Sequence, residues 1–114
     1  MNYNEQLEHS KTLCSICLPV YNEEAGLPLF LENLFYCISS IEKLNKYNFE
    51  IIAVDDGSDD RSLSILLDAS ANDPRIKVYS FQQNAGHQAA ILCGIHHASG
   101  DLIVTMDSDG QDPP

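Results

Sequence analysis

Nearly continuous apolar runs recur along the chain, each closed by polar or turn-forming residues. Runs of this length that lack polar alternation are typical of strands buried on both faces of a sheet. The four runs are "LCSICLPV" (13–20), "FEIIAV" (49–54), "IKVYSF" (76–81) and "DLIVTM" (101–106). They predict four strands, of which the first, at 13–20, is buried.

Helical spacing separates these runs. Apolar residues recur every three or four positions at Leu27, Phe30, Leu31, Leu34, Phe35, Ile38 and Ile41, which predicts an amphipathic helix. A second helix is predicted through "RSLSILLDASA" (61–71), capped by Ser58 or Asp59. A third is predicted through "GHQAAILCGIHHASG" (86–100). Ile91, Gly94, Ile95 and Ala98 lie on one face of it, where the small residues permit close packing, and Gly100 is placed to end it.

The resulting β-α-β-α-β-α-β order predicts the fold class. Short connections between alternating strands and helices imply parallel strands joined by right-handed crossovers. We therefore expect an α/β domain with a Rossmann-like, open, mainly parallel sheet and helices on both faces. A chain of 114 residues suits one domain. We assign residues 1–12 to a polar N-terminal tail and residues 13–114 to this domain.

Each predicted strand is followed by a polar cluster. The clusters are "YNEE" (21–24), "DDGSDD" (55–60), "QQNAGHQ" (82–88) and "DSDGQD" (107–112). In open α/β sheets, ligands bind outside the carboxyl ends of the strands. The four clusters are therefore expected to share one edge of the sheet.

The cluster "DSDGQD" predicts a metal site. Asp107 and Asp109 are two positions apart, so their carboxylates can converge on one ion, and Gln111 adds a third oxygen. A small set of hard oxygen ligands suits Mg²⁺ or Mn²⁺. A solvated acidic turn, or a phosphatase with Asp107 as nucleophile, remains an alternative. An EF-hand loop fits poorly, because Gly110 comes too early and no later Glu follows.

The cluster "DDGSDD" predicts a ligand contact or, equally, a helix cap. Its paired carboxylates can accept a hydrogen bond from a base or a ribose, and Gly57 and Ser58 form a turn that lets a ligand lie close. In "LPVYNEE", Tyr21 offers a ring for stacking and Glu23 an acceptor. No G-x-G-x-x-G follows the first strand and no P-loop motif occurs, which argues against a dinucleotide-binding dehydrogenase and a P-loop enzyme.

Charge narrows the choice of partner. The net charge of −11 opposes direct binding of nucleic acid. A phosphorylated ligand can still bind if a divalent cation lies between it and the carboxylates.

The four cysteines lie in apolar segments, which predicts buried free thiols, and the C-x-x-C of Cys14 and Cys17 falls in a strand. His87 starts a helix near the predicted site and could touch a phosphate, but a surface or packing role is expected for each of His87, His96 and His97.

From about residue 14 to the end, four motifs in order resemble family 2 glycosyltransferases of the GT-A fold. They are "SICLPVYNEEAGL", "EIIAVDDGSDD", "QQNAGHQAAILCGIHHASGD" and "VTMDSDGQDPP". Within that family, "NAGHQAA" and "MDSDGQDPP" resemble the polyprenyl-phosphate glycosyltransferases, relatives of dolichyl-phosphate mannose synthase. The family commonly has Leu where Gly110 stands, a difference that removes no ligand.

The resemblance implies site residues. Pro19, Tyr21 and Glu23 would line a nucleoside pocket; Val54 and Asp56 would hold the base, with Asp56 as acceptor. Asp55 would support the turn. Asp107, Ser108 and Asp109 match the D-x-D motif that approaches the ribose and the metal-bound diphosphate, with Asp107 and Asp109 as catalytic residues. Gln111 matches a further metal ligand, beside Asp107 and Asp109.

The resemblance also implies an activity. Such enzymes bind Mg²⁺ or Mn²⁺ and move a sugar, with inversion, from a UDP- or GDP-sugar to a polyprenyl phosphate at the cytoplasmic face of the membrane. "DPP" resembles the middle of a family motif, so we expect residues 1–114 to be the donor-binding part of a longer enzyme, with weak nucleotide binding and little turnover alone. A nucleotide-binding fragment without catalysis is the alternative.

Overall fold

The computed structural model describes residues 11–108, which fold into alternating strands and helices in the predicted order. The elements are β1 (Thr12–Val20), α1 (Leu27–Glu42), β2 (Tyr47–Asp55), α2 (Ser62–Asn72), β3 (Ile76–Ser80), α3 (His87–His97) and β4 (Leu102–Thr105). The predicted tail at 1–10 lies outside the described residues. Thr12, predicted to belong to the tail, is the first residue of β1.

The four strands form one parallel sheet in the order β3-β2-β1-β4. The first three strands therefore proceed in one direction across the sheet, and the chain then crosses back to add β4 on the other side of β1. The strand order reverses between β1 and β4, which is where open α/β sheets bind ligands. The predicted fold class is confirmed.

Helices lie on both faces of the sheet, but the four residues of the edge strand β4 are exposed. Alternate residues of a strand face opposite sides. Accordingly, Ile51 and Ala53 of β2 pack in a core with α1 and α2, whereas Ile52 and Val54 pack in a second core with Ala90 of α3. The predicted apolar stripe of α1 is confirmed by its buried residues, Leu27, Leu31, Leu34 and Ile38.

The orientation of α3 differs from the prediction. Ala90 and Gly94 are buried, but Ile95 is 40% exposed, so the prediction that Ile95 shares the buried face is wrong. The reason is the close approach of α3 to β1: a Cβ at Gly94 would lie 3.0 Å from the Cβ of Cys17. The helix packs through its smallest residues, which turns the larger Ile95 outwards.

Gly100 does not end α3, which closes at His97 with Ala98 as its C-cap. A Cβ at Gly100 would lie 2.5 Å from Oγ of Ser15 and 2.8 Å from the carbonyl oxygen of Leu13. Gly100 therefore permits the close approach of the α3–β4 connection to β1.

The described cysteines are free thiols, but they are not all buried as predicted. Cys14 and Cys17 are buried in β1, and burial raises the pKa of both, with a further rise at Cys17 from the nearby Glu50 carboxylate. Cys93 is partly buried, and burial raises its pKa too. Cys37 is exposed, because it lies on the outer side of α1 beside Tyr36. Within residues 11–108, the helices are too short or too polar to cross a bilayer.

Candidate functional site

A cleft of about 390 Å³ opens at the carboxyl ends of the strands. It lies where the ends of β1 and β4 meet the loops that follow β2 and β3. Its lining residues are Pro19, Val20, Tyr21, Glu23, Asp56, Asn84, Gly86, His87, Asp107 and Ser108. The four polar clusters predicted to share one edge of the sheet thus all contribute to one cleft.

The loop after β1 is fixed by hydrogen bonds to the loop after β2. Asn22 has a φ of 51°. Its N–H donates to Oγ of Ser58 (2.9 Å), and its side-chain oxygen accepts from the N–H of Asp59 (2.8 Å). The N–H of Glu23 donates to Oγ of the fully buried Ser62 (2.8 Å). These contacts present Tyr21, which is 43% exposed, at the cleft.

The predicted cap of α2 is wrong. The helix begins at Ser62, with Arg61 at the N-cap position and no side-chain cap bond there. Ser58 and Asp59 instead bond Asn22, as above. Asp60 accepts hydrogen bonds from the N–H groups of Ser62 (2.9 Å) and Glu24 (3.1 Å). Burial would raise the pKa of Asp60, but the hydrogen bonds from Ser62 and Glu24 outweigh it and lower that pKa.

Asp55 is buried at the end of β2, and its contacts agree with the expected turn-supporting role. Oδ2 accepts from the N–H of Ser58 (3.4 Å) and from Oγ of Ser80 (3.3 Å). Oδ1 is buried and has no hydrogen-bond partner among the described residues. Asp55 is absent from the cleft lining.

Asp56 lines the cleft, yet its carboxylate is directed mainly at the protein. It accepts hydrogen bonds from the N–H of Ala85 (2.7 Å), from the N–H of Gly86 (3.2 Å) and from Nδ2 of Asn84 (3.0 Å). Nδ2 of Asn84 also donates to the carbonyl oxygen of Asp56 (3.1 Å). Only 2% of Asp56 is exposed.

Gly57 allows this approach of the two loops. Its φ is +70°, and a Cβ there would lie 2.4 Å from the backbone N of Asn84. A side chain would be strained in this conformation and would also push away the loop that Asp56 binds. The predicted turn at Gly57 and Ser58 therefore serves to dock the loop after β3.

The end of β4 brings Asp107 and Ser108 to the cleft. Ser108 is buried, and its Oγ donates to the carbonyl oxygen of Pro19 (3.2 Å), which ties the end of β4 to the end of β1. The Asp107 side chain is 66% exposed, and its Oδ1 lies 3.6 Å from Nε2 of His87. Asp109 and Gln111, the other predicted metal ligands, lie outside the described residues.

The residues present fit a divalent cation in their chemistry. Asp107 offers an exposed carboxylate oxygen, the kind of ligand that suits Mg²⁺ and Mn²⁺. Within residues 11–108, no group of three or more His, Cys, Asp or Glu side chains forms a complete metal cluster. The predicted ligand set of Asp107, Asp109 and Gln111 stays a prediction.

The predicted site residues that the structure describes divide into two groups. Pro19, Tyr21, Glu23, Asp56, Asp107 and Ser108 all line the cleft. Val54 does not line it; its side chain is 1% exposed and packs with Ile52 and Ala90. Its predicted contact with a base is not tested.

Asn84 and Gly86 line the cleft but were not singled out by the sequence. Their signal was the cluster "QQNAGHQ" after β3, in which Asn and Gly are common turn residues. That composition could not identify Asp56 as their partner.

Similarity to known proteins agrees with this site. Residues 15–114 match the family described as Glycosyl transferase family 2. The chain is 44% identical over 100 residues to "Uncharacterized glycosyltransferase YkcC" of Bacillus subtilis, covering 88% of this chain and 30% of the relative. It is 44% identical over 102 residues to "Undecaprenyl-phosphate 4-deoxy-4-formamido-L-arabinose transferase" of Yersinia enterocolitica, again covering 88% of this chain and 30% of the relative. The chain thus spans about 30% of the length of these relatives.

Solved glycosyltransferase structures share the fold. S. aureus TarS 1–349 in complex with UDP superposes with a TM-score of 0.67 at 25% identity, covering 84% of this chain and 27% of that one. Mannosyltransferase PcManGT from Pyrobaculum calidifontis, in complex with GDP-Man and Mn²⁺, superposes with a TM-score of 0.71 at 20% identity. The superposition covers 94% of this chain and 30% of that one. Because the family match runs from Ser15, within β1, to residue 114 and includes every residue that lines the cleft, the chain belongs to glycosyl transferase family 2.

Proposed function

We propose that this chain is the donor-binding part of a metal-dependent, inverting glycosyltransferase of the hexosyltransferase type. The donor is a UDP- or GDP-sugar and the acceptor a polyprenyl phosphate. One observation carries the proposal: in a family 2 chain, Tyr21, Asp56 and Asp107 converge on a single cleft at the point where the strand order reverses. Ligand binding at that point is the rule for open α/β sheets.

The nucleoside is held at the β1 side of the cleft. Tyr21 presents a ring face on which a base can stack, next to Pro19. Glu23 supplies a carboxylate on the same loop, and Asp56 closes the cleft from the β2 side. Such a site suits a flat base and a ribose with hydroxyl groups to donate.

The diphosphate lies at the β4 side, near Asp107. Glu23, Asp56 and Asp107 give the cleft three carboxylates, which would repel a diphosphate in the absence of a cation. A bound Mg²⁺ or Mn²⁺ would neutralise charge on the departing nucleoside diphosphate. Asp107, with Asp109 and Gln111, would hold that ion. Ser108 keeps Asp107 at the cleft by bonding Pro19.

The names of the relatives support the proposed acceptor. The Yersinia enterocolitica relative is named as an undecaprenyl-phosphate sugar transferase, and an Escherichia coli relative, 37% identical over 99 residues, as a bactoprenol glucosyl transferase homolog. A lipid phosphate oxygen is anionic near neutral pH, so it can attack without a strong general base. Attack opposite the leaving group inverts the anomeric centre. We place the reaction at the cytoplasmic face of the membrane.

The test combines binding with turnover. UDP, GDP and their sugar conjugates are titrated with and without Mn²⁺, and sugar transfer to polyprenyl phosphate is then assayed. Metal-dependent nucleotide binding with little or no transfer by residues 1–114 alone is the expected result, and detectable transfer would exclude the alternative of a nucleotide-binding module without catalysis. If no nucleotide binds with metal present, the donor site is wrong. Trapping of Asp107 by beryllium fluoride would instead favour a phosphatase.

A further inference from the structure

Asn22 separates two residues that line the cleft, Tyr21 and Glu23, but does not line the cleft itself. Its φ of 51° lies in the left-handed region, which few residues other than glycine adopt. Asparagine tolerates this region better than most residues, because its short amide side chain can form hydrogen bonds with the backbone. The chain therefore takes a sparsely populated conformation immediately after the ring that the proposed function places against the base.

The backbone and the side chain of Asn22 both bond the loop after β2. The N–H of Asn22 donates to Oγ of Ser58 at 2.9 Å, and Oδ1 of Asn22 accepts from the N–H of Asp59 at 2.8 Å. These two bonds run in opposite directions across 36 and 37 sequence positions, and we call the pair the Asn22 latch. The latch fixes the residue after Tyr21 by two independent contacts.

The side chain of Tyr21 has no such contacts of its own. The residue is 43% exposed, and within residues 11–108 no hydrogen bond or ring contact holds its side chain. The backbone on either side of it is held, however. The carbonyl oxygen of Val20 accepts from the N–H of Asp56 at 2.8 Å, and Asn22 is held by the latch. The direction of the Tyr21 ring is therefore set by its backbone.

We infer that Asn22 is a positioning residue: through the latch it sets the backbone that directs the Tyr21 ring into the cleft, against the base of the donor. The inference rests on the proposed function for the base but not for the positioning of Tyr21. A ring that is held in advance loses less conformational freedom when a base stacks on it, so the same contact gives a higher affinity. Two experiments test the two parts separately.

Asn45 provides a matched control for the backbone conformation. Asn22 and Asn45 are the two non-glycine residues with a positive φ among residues 11–108, and the φ of Asn45 is 63°. Asn45 lies between α1 and β2, at the opposite edge of the sheet from the cleft. Asn22→Ala and Asn45→Ala both place alanine in the left-handed region, so each should lower the melting temperature by about 4 to 8 °C. Only Asn22→Ala should also disturb Tyr21.

The first experiment needs no ligand and measures backbone order by NMR relaxation in the full chain. The amide of Tyr21 should have an order parameter of about 0.85 in the wild type and fall below about 0.6 in Asn22→Ala. Ser58→Ala removes the acceptor for the N–H of Asn22, so it should lower the order parameter of Tyr21 as well. Asn45→Ala should leave it unchanged. An unchanged order parameter of Tyr21 in both Asn22→Ala and Ser58→Ala would overturn the positioning role.

The second experiment locates the effect on the ligand by a double-mutant cycle with Tyr21→Ala. Affinity for UDP or GDP, whichever the wild type binds, is measured with Mn²⁺ and again with EDTA. Tyr21→Ala should weaken binding about tenfold or more, as expected for the loss of a stacked base, and Asn22→Ala about three- to tenfold. The two losses should not add, because Asn22 acts through Tyr21. Asn22→Ala should keep the wild-type gain in affinity on adding Mn²⁺, and Asn45→Ala should bind as the wild type does.

The contrary outcomes are distinct. If Asn22→Ala weakens binding as much in the Tyr21→Ala background as in the wild type, Asn22 acts independently of the ring and the inference is wrong. The inference is also wrong if Asn22→Ala reduces the gain from Mn²⁺, because the effect then lies at the diphosphate. If the wild type binds neither nucleotide, the proposed function fails, while the order parameter of Tyr21 still decides whether Asn22 positions it. Should Asn22→Ala fail to fold, Ser58→Ala carries both measurements.

Discussion

The hydroxyl group of Ser15 donates a 2.6 Å hydrogen bond to the carboxylate of Glu50, joining β1 to β2 across 35 sequence positions. The same carboxylate accepts from the N–H of Ser99 (2.7 Å) and from Nζ of Lys77 (3.0 Å). Oγ of Ser15 also accepts from the N–H of Gly100 (2.8 Å). This buried network connects β1, β2 and β3 with the segment that leads into β4.

Glu50→Gln should destabilise the protein by about 3 kcal/mol near neutral pH, because it removes a buried charge on which three donors converge. Lys77→Met is the matched control. The Lys77 side chain is 51% exposed, so its ion pair should contribute less than about 1 kcal/mol. Urea unfolding of both variants measures the difference, and an equal loss would show that the ion pair dominates.

The contribution of Glu50 should also depend on pH. Burial raises the pKa of Glu50, but hydrogen bonds from Ser15 and Ser99, together with Lys77, outweigh it and lower that pKa below its ordinary value of 4.5. A lowered pKa stabilises the folded state above the ordinary pKa, and this stabilisation is lost as pH falls through the folded-state pKa. The gap in stability between wild type and Glu50→Gln should therefore shrink below about pH 4.5. A gap that widens in acid would contradict this.

Gly57→Ala should destabilise the protein by about 2 kcal/mol or more, because φ is +70° and the new Cβ would collide with the backbone N of Asn84. Gly26→Ala is the control: a Cβ at Gly26 meets nothing within 4 Å. It should stay within about 1 kcal/mol of the wild type. Thermal unfolding compares the two, and equal melting temperatures would show that the loop after β3 can move aside.

His97→Ala should lower the free energy of unfolding by about 1 to 2 kcal/mol, whereas His96→Ala should lower it by less than about 0.5 kcal/mol. The His97 ring stacks on Tyr79 at a centroid distance of 3.9 Å, and its Nδ1 lies 2.9 Å from the carbonyl oxygen of Cys93. His96 is exposed on the same helix. Denaturant unfolding measures both, and similar losses would argue against the stacked pair.

Asp107→Asn should reduce the gain in UDP affinity on adding Mn²⁺ by about tenfold or more, since one charged contact to the ion is lost. Asp59→Asn should keep that gain. Calorimetric titration with UDP, first in the presence of Mn²⁺ and then in the presence of EDTA, measures this gain in affinity. A full metal effect in Asp107→Asn would remove this residue from the predicted ligand set.

Much of the fold could be predicted because each strand and helix has a local pattern. The continuous run around Ile51 and Ile52 required cover on both faces, and the structure has it. The orientation of α3 against the sheet was harder to predict. The small residues of α3 predicted its close packing, and α3 does pack through Gly94, but hydrophobicity placed Ile95 on the same face, and Ile95 is exposed.

The position of the site was predictable from the strand ends, but the hydrogen-bond partners of the individual carboxylates were not. Asp55 and Asp56 are adjacent in sequence, yet one bonds its own turn and Ser80 while the other bonds a loop 29 positions away at Ala85. Such distant partners leave no periodic trace in the sequence. The predicted cap by Ser58 was wrong for the same reason, since its partner is Asn22.

The reversed strand order also has a consequence for how the domain forms. β1 and β2 pair across 35 positions at Ser15 and Glu50, whereas the contact of Ser108 with Pro19 closes a loop of 89. Longer loops cost more chain entropy to close, so the docking of β4 is the least local step of assembly. The cleft is complete only after that step. Any molecule it binds must therefore shift the equilibrium towards the chain with β4 in place, which makes occupancy and the completion of folding one coupled event.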